Sequence, residues 1–343
     1  MQSIGLDLTA AVVALVDGNP AIVAVPQSVD AGKTDAPDPA LPSGPFEPLK
    51  HRTLELGLRG FVEAQTGFRL GYIEQLYAFG DRGRHATAQT DTPHMLSVGY
   101  VALTRAYTDS QPAQSVVQPE PHDEWSWQHW YGFFPWEDWR DGRPAILEAN
   151  LLPRLRHWLA ETSGDEPPGR TMSRQRRAAL AFGATLSPTG PADEAIWDEE
   201  RVLERYELLY EAGLVGEAWR DGRTDRAHED APLGRRMALD HRRILATAIA
   251  RLRGKMKYRP VVFEMMPEAF TLTDLQLAVE AISGRRLHKQ NFRRLVDRAG
   301  LVEPTGGTAV ATGGRPAALY RFRREVTAER PAAGLRLGQS VVR

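Results

Sequence analysis

The segment from Thr271 to Phe322 constrains the fold more than any other part of the chain. Thr271-Leu-Thr-Asp274 opens a helix with a cap-like start, and Leu275, Val279 and Ile282 give that helix an inner face. Gly284 interrupts it. A second helix is expected from about His288 to Ala299, with Phe292, Leu295, Val296 and Ala299 at i, i+3, i+4 and i+7. Gly300 ends the second helix, and a hairpin follows from Leu301-Val302 through Gly306-Gly307 and Gly313-Gly314 to Leu319-Tyr-Arg-Phe322. Two short helices joined at a glycine and followed by a glycine-tipped hairpin have the plan of a winged helix-turn-helix.

The charge distribution points the same way. The chain holds 43 basic and 44 acidic residues, a net charge of −1, yet residues 235–324 carry 19 Lys and Arg against 7 Asp and Glu. A basic module joined to an acidic remainder suits a polyanionic partner. The outer face of the second helix presents Lys289, Gln290, Asn291, Arg293, Arg294 and Arg298, with Asp297 as its acid. These side-chain types reach base edges or phosphates in a major groove. Candidate DNA contacts are therefore Lys289, Gln290, Asn291, Arg293 and Arg294, with Arg315 on the wing and Lys255 and Lys257 ahead of the module. Any solvated helix shows a charged outer face; the spacing, the basic excess and the wing together favour DNA binding.

The 343 residues suffice for about two domains. The absence of cysteine excludes a disulfide scaffold, a thiolate nucleophile, cysteine-ligated zinc and iron–sulfur clusters. The longest apolar stretch, Thr9 to Val16, is too short to span a bilayer and has no basic n-region, so a cytoplasmic location is expected. The first 25 residues read as a hairpin turning at Asp17-Gly-Asn-Pro20, residues 26–48 as a loop, and Thr53–Thr66 as a helix stopped by Gly67. Tyr72–Phe79 and Met95–Leu103 read as strands. Residues 125–158 hold six of the eight tryptophans, a cluster read mainly as packing. Residues 160–232 read as a helical insertion with loose edges, containing one helix from about Glu199 to Trp219. A long basic helix is expected over Arg235–Arg253, ended by Gly254.

Four motifs in order resemble a known family. Arg251-Leu-Arg-Gly-Lys-Met-Lys-Tyr-Arg-Pro260, Phe270-Thr-Leu-Thr-Asp-Leu-Gln276, Asn291-Phe-Arg-Arg294 and Gly314-Arg-Pro-Ala317 with Leu-Tyr-Arg-Phe322 are similar to the C-terminal half of Nudix-related transcriptional regulators of NAD metabolism. The front half resembles it more loosely, through Leu41-Pro-Ser-Gly-Pro-Phe-Glu-Pro48, Val62-Glu-Ala-Gln-Thr-Gly-Phe68 and Glu74-Gln-Leu-Tyr-Ala-Phe-Gly-Asp-Arg82. The larger middle insertion looks most like a divergent bacterial branch. The resemblance implies an α+β fold: a Nudix-like mixed α/β/α sandwich over 1–253, a winged helix-turn-helix over 254–326 and a tail over 327–343.

The resemblance also implies a function. It points to a dimeric DNA-binding repressor of NAD biosynthesis or salvage genes, sensing NAD or ADP-ribose through the Nudix-like half, with no cofactor required. Candidate effector contacts are Arg59 and Glu63 on the box helix, Glu74, Gln75 and Tyr77 on the next strand, and Arg82 or Arg84 for phosphate charge. Each of these also has an ordinary reading as helix-surface pairing or strand packing. Nudix hydrolysis needs several carboxylates on one helix face to hold Mg²⁺. Here the matching stretch, Arg59-Gly-Phe-Val-Glu-Ala-Gln65, keeps only Glu63. Little or no hydrolysis is expected, and the alternative function is a residual pyrophosphatase acting on ADP-ribose or a related dinucleotide. His85, His94, His122 and His129 show no ligand-pair spacing, so no metal cluster is expected; Ser97 lies in no nucleophile elbow.

Overall fold

The computed structural model describes residues 4–27, 37–81, 94–106, 125–161, 172–183, 197–223, 233–309, 316–326 and 334–335. The expected hairpin is β1 (Ile4–Val16) and β2 (Asn19–Gln27). Asp17 and Gly18 both take positive φ, 50° and 71°, the two-residue turn whose twist suits the strands it joins. Residues 26–48, expected as a loop, also contain β3 (Asp38–Ala40) and β4 (Ser43–Pro45). Strands of three residues among prolines show no period-2 pattern to read. They pair antiparallel with β2 and β1.

With β5 (Tyr72–Phe79), β6 (His94–Leu103) and β7 (Ser126–His129) these strands form one seven-stranded sheet. Its main path is β3-β2-β1-β6-β5, and β1 runs parallel to β6 from Ile4 to Val13. Both faces are covered. Helix α1 (Leu54–Thr66) seats Leu58 and Val62 against Leu8, Ala10, Val12 and Val98. Thr53 caps it by accepting the Leu56 N–H at 3.2 Å, and Gly67 closes it at φ 73°. On the opposite face Ala11, Val13, Val101 and Leu103 meet Ile244, Leu245, Ala248 and Ile249 of α6 (His241–Met256). The layering is the expected α/β/α sandwich.

The middle of the chain adds α2 (Leu152–Glu161), α3 (Arg174–Phe182), α4 (Val202–Glu211) and α5 (Gly216–Arg220). The single helix expected over 199–219 is thus two. Gly213 takes φ 70°, and Leu214 N–H donates to Leu209 O at 2.9 Å, which closes α4. Nor is α4 peripheral, because Tyr206, Leu208 and Leu209 are buried in the main core. Helix α6 starts later than expected, at His241 and not at Arg235, since Leu239 at φ 48° breaks the run before it. It also continues through Gly254. A side chain at 254 would meet the Glu200 carboxylate at 2.9 Å, so this glycine serves a close approach rather than a stop.

The aromatic stretch is core: Trp130, Phe133, Phe134 and Trp136 are wholly buried. Among them lies Glu137, 1% exposed, held between two guanidiniums that are 0% exposed. Arg205 grips it bidentately, Nε to Oε1 at 2.6 Å and Nη2 to Oε2 at 2.8 Å, and Arg253 Nη1 donates to Oε2 at 2.9 Å. Further donors go to carbonyls, Arg205 Nη1 to Ala181 and Asp198, Arg253 Nη1 to Glu199 and Arg253 Nε to Ile282, and Arg253 Nη2 donates to the Tyr131 hydroxyl at 3.3 Å. A second buried pair, Arg242 with Glu217 at 3.0 Å, ties α6 to α5.

The C-terminal part is α7 (Leu272–Ser283), α8 (Lys289–Ala299), β8 (Val302–Thr308) and β9 (Ala318–Phe322). Thr271 and Asp274 form a reciprocal capping box, and Gly284 and Gly300 end the helices in the left-handed region. Helix-turn-helix and hairpin are as expected. This part sits hard against the sandwich: Arg253 bonds Ile282 O, Tyr131 Oη bonds Ala281 O at 2.7 Å and Trp139 N–H bonds Gly284 O at 2.7 Å. Within the segment expected as a tail, Leu335 is 1% exposed and its N–H donates to Met256 O at 2.8 Å. Among the described residues no helix is long and apolar enough to cross a membrane.

The buried charges set two expectations for stability. Glu137→Gln leaves two buried guanidiniums without a counter-ion and is expected to cost about 3–5 kcal/mol, read by denaturant unfolding. Asp7 on β1 has its carboxyl raised by burial. A raised acid is disfavoured when ionised, so Asp7→Asn is expected to raise the melting temperature at pH 7. The gain should vanish below about pH 4, where both side chains are neutral.

Candidate nucleic-acid interface and effector site

Helix α8 divides sharply. Phe292 and Val296 are buried against the core, while Lys289, Gln290, Asn291, Arg293, Arg294 and Arg298 are exposed. Among the described residues none of those six side chains makes a hydrogen bond or an ion pair. A row of unengaged donors with amide and guanidinium chemistry, on a helix held rigidly from behind, is what a base edge or phosphate requires. Arg315, the wing candidate, lies outside the described residues.

Lys255 and Lys257 stand differently from α8. Lys255 Nζ donates to Glu74 Oε2 at 2.6 Å, and the Tyr72 hydroxyl donates to the same oxygen at 2.8 Å. Burial alone would lower the Lys255 ammonium; the bonds to Glu74 and Tyr72 outweigh it and hold it above the usual lysine value. Lys257 bonds the Glu200 carboxylate and lies 3.5 Å from Glu199. Both lysines therefore tie the end of α6 to acids of the sandwich.

The effector candidates fall on two faces of the sheet. On the α1 side, Arg59 pairs with Glu55 at 2.8 Å and bonds the carbonyls of Leu70 and Gly71, which fastens α1 to the approach of β5. Glu63 pairs with Arg69 at 2.8 Å, and Gln75 Oε1 accepts the Tyr100 hydroxyl at 3.2 Å. On the α6 side stand Glu74 and Tyr77. Alternation would send Tyr77 to the α1 side, but a bulge sets Leu76 and Tyr77 opposite Gly99 and turns Tyr77 towards Arg251, whose guanidinium lies 5.9 Å from the ring centroid. Arg82 and Arg84 lie outside the described residues. Sequence reasoning passed over Arg251, Tyr258 and Arg259, which line the same side; their signal is the i, i+4 spacing of Arg251, Lys255 and Arg259.

A Nudix metal ion does not suit the α1 face. A hard divalent cation wants several oxygen ligands. The acids of this helix, Glu55 and Glu63, are two turns apart and each is bonded to an arginine.

Comparison with known proteins agrees with this geometry. Residues 262–322 match the NrtR DNA-binding winged helix domain. Over 86 residues, 25% of this chain, the sequence is 45% identical to the ADPR responsive transcriptional repressor NtrR of Acinetobacter baylyi. That match spans 34% of the relative, about a third of its length. The fold is similar to that of Shewanella oneidensis NrtR complexed with a 27mer DNA, at a TM-score of 0.52, 18% identity, and coverage of 94% of this chain and 95% of that one. A second crystal structure of Shewanella oneidensis NrtR gives 0.50 at 18% identity, over 94% and 96%. The expected likeness is borne out over the winged helix, which matches an NrtR-type domain, and the expected α+β fold of a sandwich followed by a winged helix is borne out by the likeness to Shewanella oneidensis NrtR.

Exposed side chains that play no part in folding are dispensable for stability. Arg293→Ala and Arg294→Ala are expected to leave the unfolding free energy within about 0.5 kcal/mol of wild type. Phe292→Ala, which empties the buried side of the same helix, should cost about 3–5 kcal/mol in the same denaturation series.

Proposed function

We propose that this chain, with its NrtR-type winged helix domain, is a DNA-binding transcriptional repressor of NAD biosynthesis or salvage genes. It works in the cytoplasm as a homodimer and senses ADP-ribose or NAD through its Nudix-like sandwich. The observation that carries the reading is the exposed, unengaged row on α8, presented by a buried Phe292 and Val296 in a helix-turn-helix. Support comes from the relatives, one an ADPR responsive repressor and one complexed with DNA. The sandwich acts as a sensor and not as a hydrolase, because the α1 carboxylates are bound to arginines and offer no clustered oxygen set for Mg²⁺. An effector changes DNA affinity only through its differential affinity for the two states of the dimer.

The decisive measurement is fluorescence anisotropy on duplex DNA from the upstream region of its own gene, against a scrambled duplex, with ADP-ribose, NAD and ATP titrated separately. Sequence-preferring binding altered by ADP-ribose or NAD is expected; no preference at low and moderate salt overturns the reading. Within it, Arg293→Ala or Arg294→Ala should cost about 1–3 kcal/mol on the operator and relax preference at one position. Equal losses on operator and scrambled DNA would sink base readout by α8. Affinity should fall steeply with salt, since several phosphate contacts each release counter-ions.

A further inference from the structure

Helix α8 begins without a cap of its own. His288 stands at the N-cap with φ −67° and ψ 123°, its side chain makes no capping bond, and the first turn carries no acid. The first amides of a helix have no partner inside it, so its start is set by whatever pins the chain just ahead. Here the pinned residue is Leu287. Its N–H donates to Glu280 Oε1 at 2.9 Å, and its carbonyl accepts Gln276 Nε2 at 2.8 Å. Both side chains come from α7, one turn apart, and they are bonded to each other, Gln276 Nε2 to Glu280 Oε1 at 2.8 Å. The second carboxylate oxygen, Oε2, accepts Arg286 Nη1 at 3.1 Å. Glu280 is 3% exposed, and a carboxylate so buried needs its donors. Two of the three, Arg286 and Leu287, come from the turn that leads into α8.

Arg286 also reaches the sandwich, Nε to Arg140 O at 3.0 Å and Nη2 to Asp141 Oδ1 at 3.2 Å. The Arg286 and Asp141 side chains are 57% and 93% exposed, and an ion pair so solvated contributes little. The bond to Glu280 comes first among those that hold the Arg286 guanidinium above its usual value. The weight therefore falls on the buried arm. We infer that Gln276 and Glu280 are positioning residues for DNA recognition: by holding both backbone groups of Leu287 they set where Lys289, Gln290, Asn291, Arg293 and Arg294 stand, without touching a base. This rests on the reading of α8 as the helix that reads DNA. Bonds to base edges are directional and need their donors held to within about 0.5 Å, whereas attraction to phosphates reaches across a Debye length of about 8–10 Å. Releasing Leu287 costs sequence preference before it costs affinity for duplex of any sequence. Charge alone gives the opposite sign, because removing an acid beside a basic helix strengthens binding to every duplex.

The test is fluorescence anisotropy of the full chain on the operator and on a scrambled duplex, for wild type, Glu280→Gln, Gln276→Ala and Asp141→Asn, each first melted to show that it folds. In Glu280→Gln the amide NH2 faces either the Leu287 N–H or the Arg286 guanidinium, so one of the two bonds is lost whichever way it turns. Gln276→Ala removes no charge from a half-buried site and carries the test should Glu280→Gln fail to fold. Both are expected to weaken operator binding about tenfold, the size of one base contact, while scrambled duplex stays within about twofold of wild type. Neither side chain touches phosphate, so the slope of log affinity on log salt should stay that of wild type. Asp141→Asn, on the solvated arm, should match wild type on both duplexes. An unchanged ratio of operator to scrambled affinity in Glu280→Gln and Gln276→Ala, whether the two affinities hold, fall together or rise together, overturns the assignment and leaves the regulator reading standing. The same loss of preference in Asp141→Asn overturns it too, since the hold would then run through the sandwich. A wild type with no duplex preference removes both readings.

Discussion

Everything in this molecule hangs on one carboxylate. Glu137 is buried among tryptophans, where an isolated charge is untenable, so it holds two arginines and they hold it. The arginines come from α4 and α6 and direct their other donors to carbonyls of residues 181, 198, 199 and 282. Five segments, around residues 137, 181, 198–205, 253 and 282, are thereby fixed at a point. A buried pair of this kind adds little net stability over an apolar substitute, but it admits few alternative arrangements. It fixes α6 in register with both the sheet and α7, and the placing of α8 against them follows.

The same constraint sorts the surface charges. Several of the basic residues facing the sandwich are paired with carboxylates, as with Lys255 on Glu74, Lys257 on Glu200 and Arg243 on Asp81. Those on α8 are left open. The basic excess of the C-terminal stretch is therefore not spread evenly: its near side joins the two domains, and its far side faces outward.

What the sequence showed and hid follows from range. Helices α1, α7 and α8 were legible because their ends are local chemistry: Thr53 and Gly67, Thr271 with Asp274, Gly284 and Gly300. The hairpin turn at Asp17-Gly18 is local too. Gly213 and Gly254 look alike in one dimension, yet the first ends a helix and the second makes room for Glu200, a distinction only tertiary contact draws. The α8 face could be read because exposed residues need no partner. Arg59 and Glu63 find their ionic partners four and six residues away, the ordinary surface pairing open to them in sequence, whereas Lys255 finds Glu74 181 residues away, which no local pattern shows. Nothing local marks Glu137, Arg205 and Arg253 as a buried group, since they come together from positions 68 and 116 residues apart.

The carbonyls at the end of α7 bear on modularity. Ala281, Ile282 and Gly284 offer their oxygens to Tyr131, Arg253 and Trp139, all of which precede the winged helix in the chain. A winged helix cut free would keep its capping box and its buried Phe292 but end its first helix on three acceptors facing water. A foreign body grafted in front of it would have to reproduce a phenol, a guanidinium and a backbone N–H at matching positions. The two parts are therefore built to fit each other, and grafting the C-terminal part onto another body should succeed only where residues 131–139 are carried along with it.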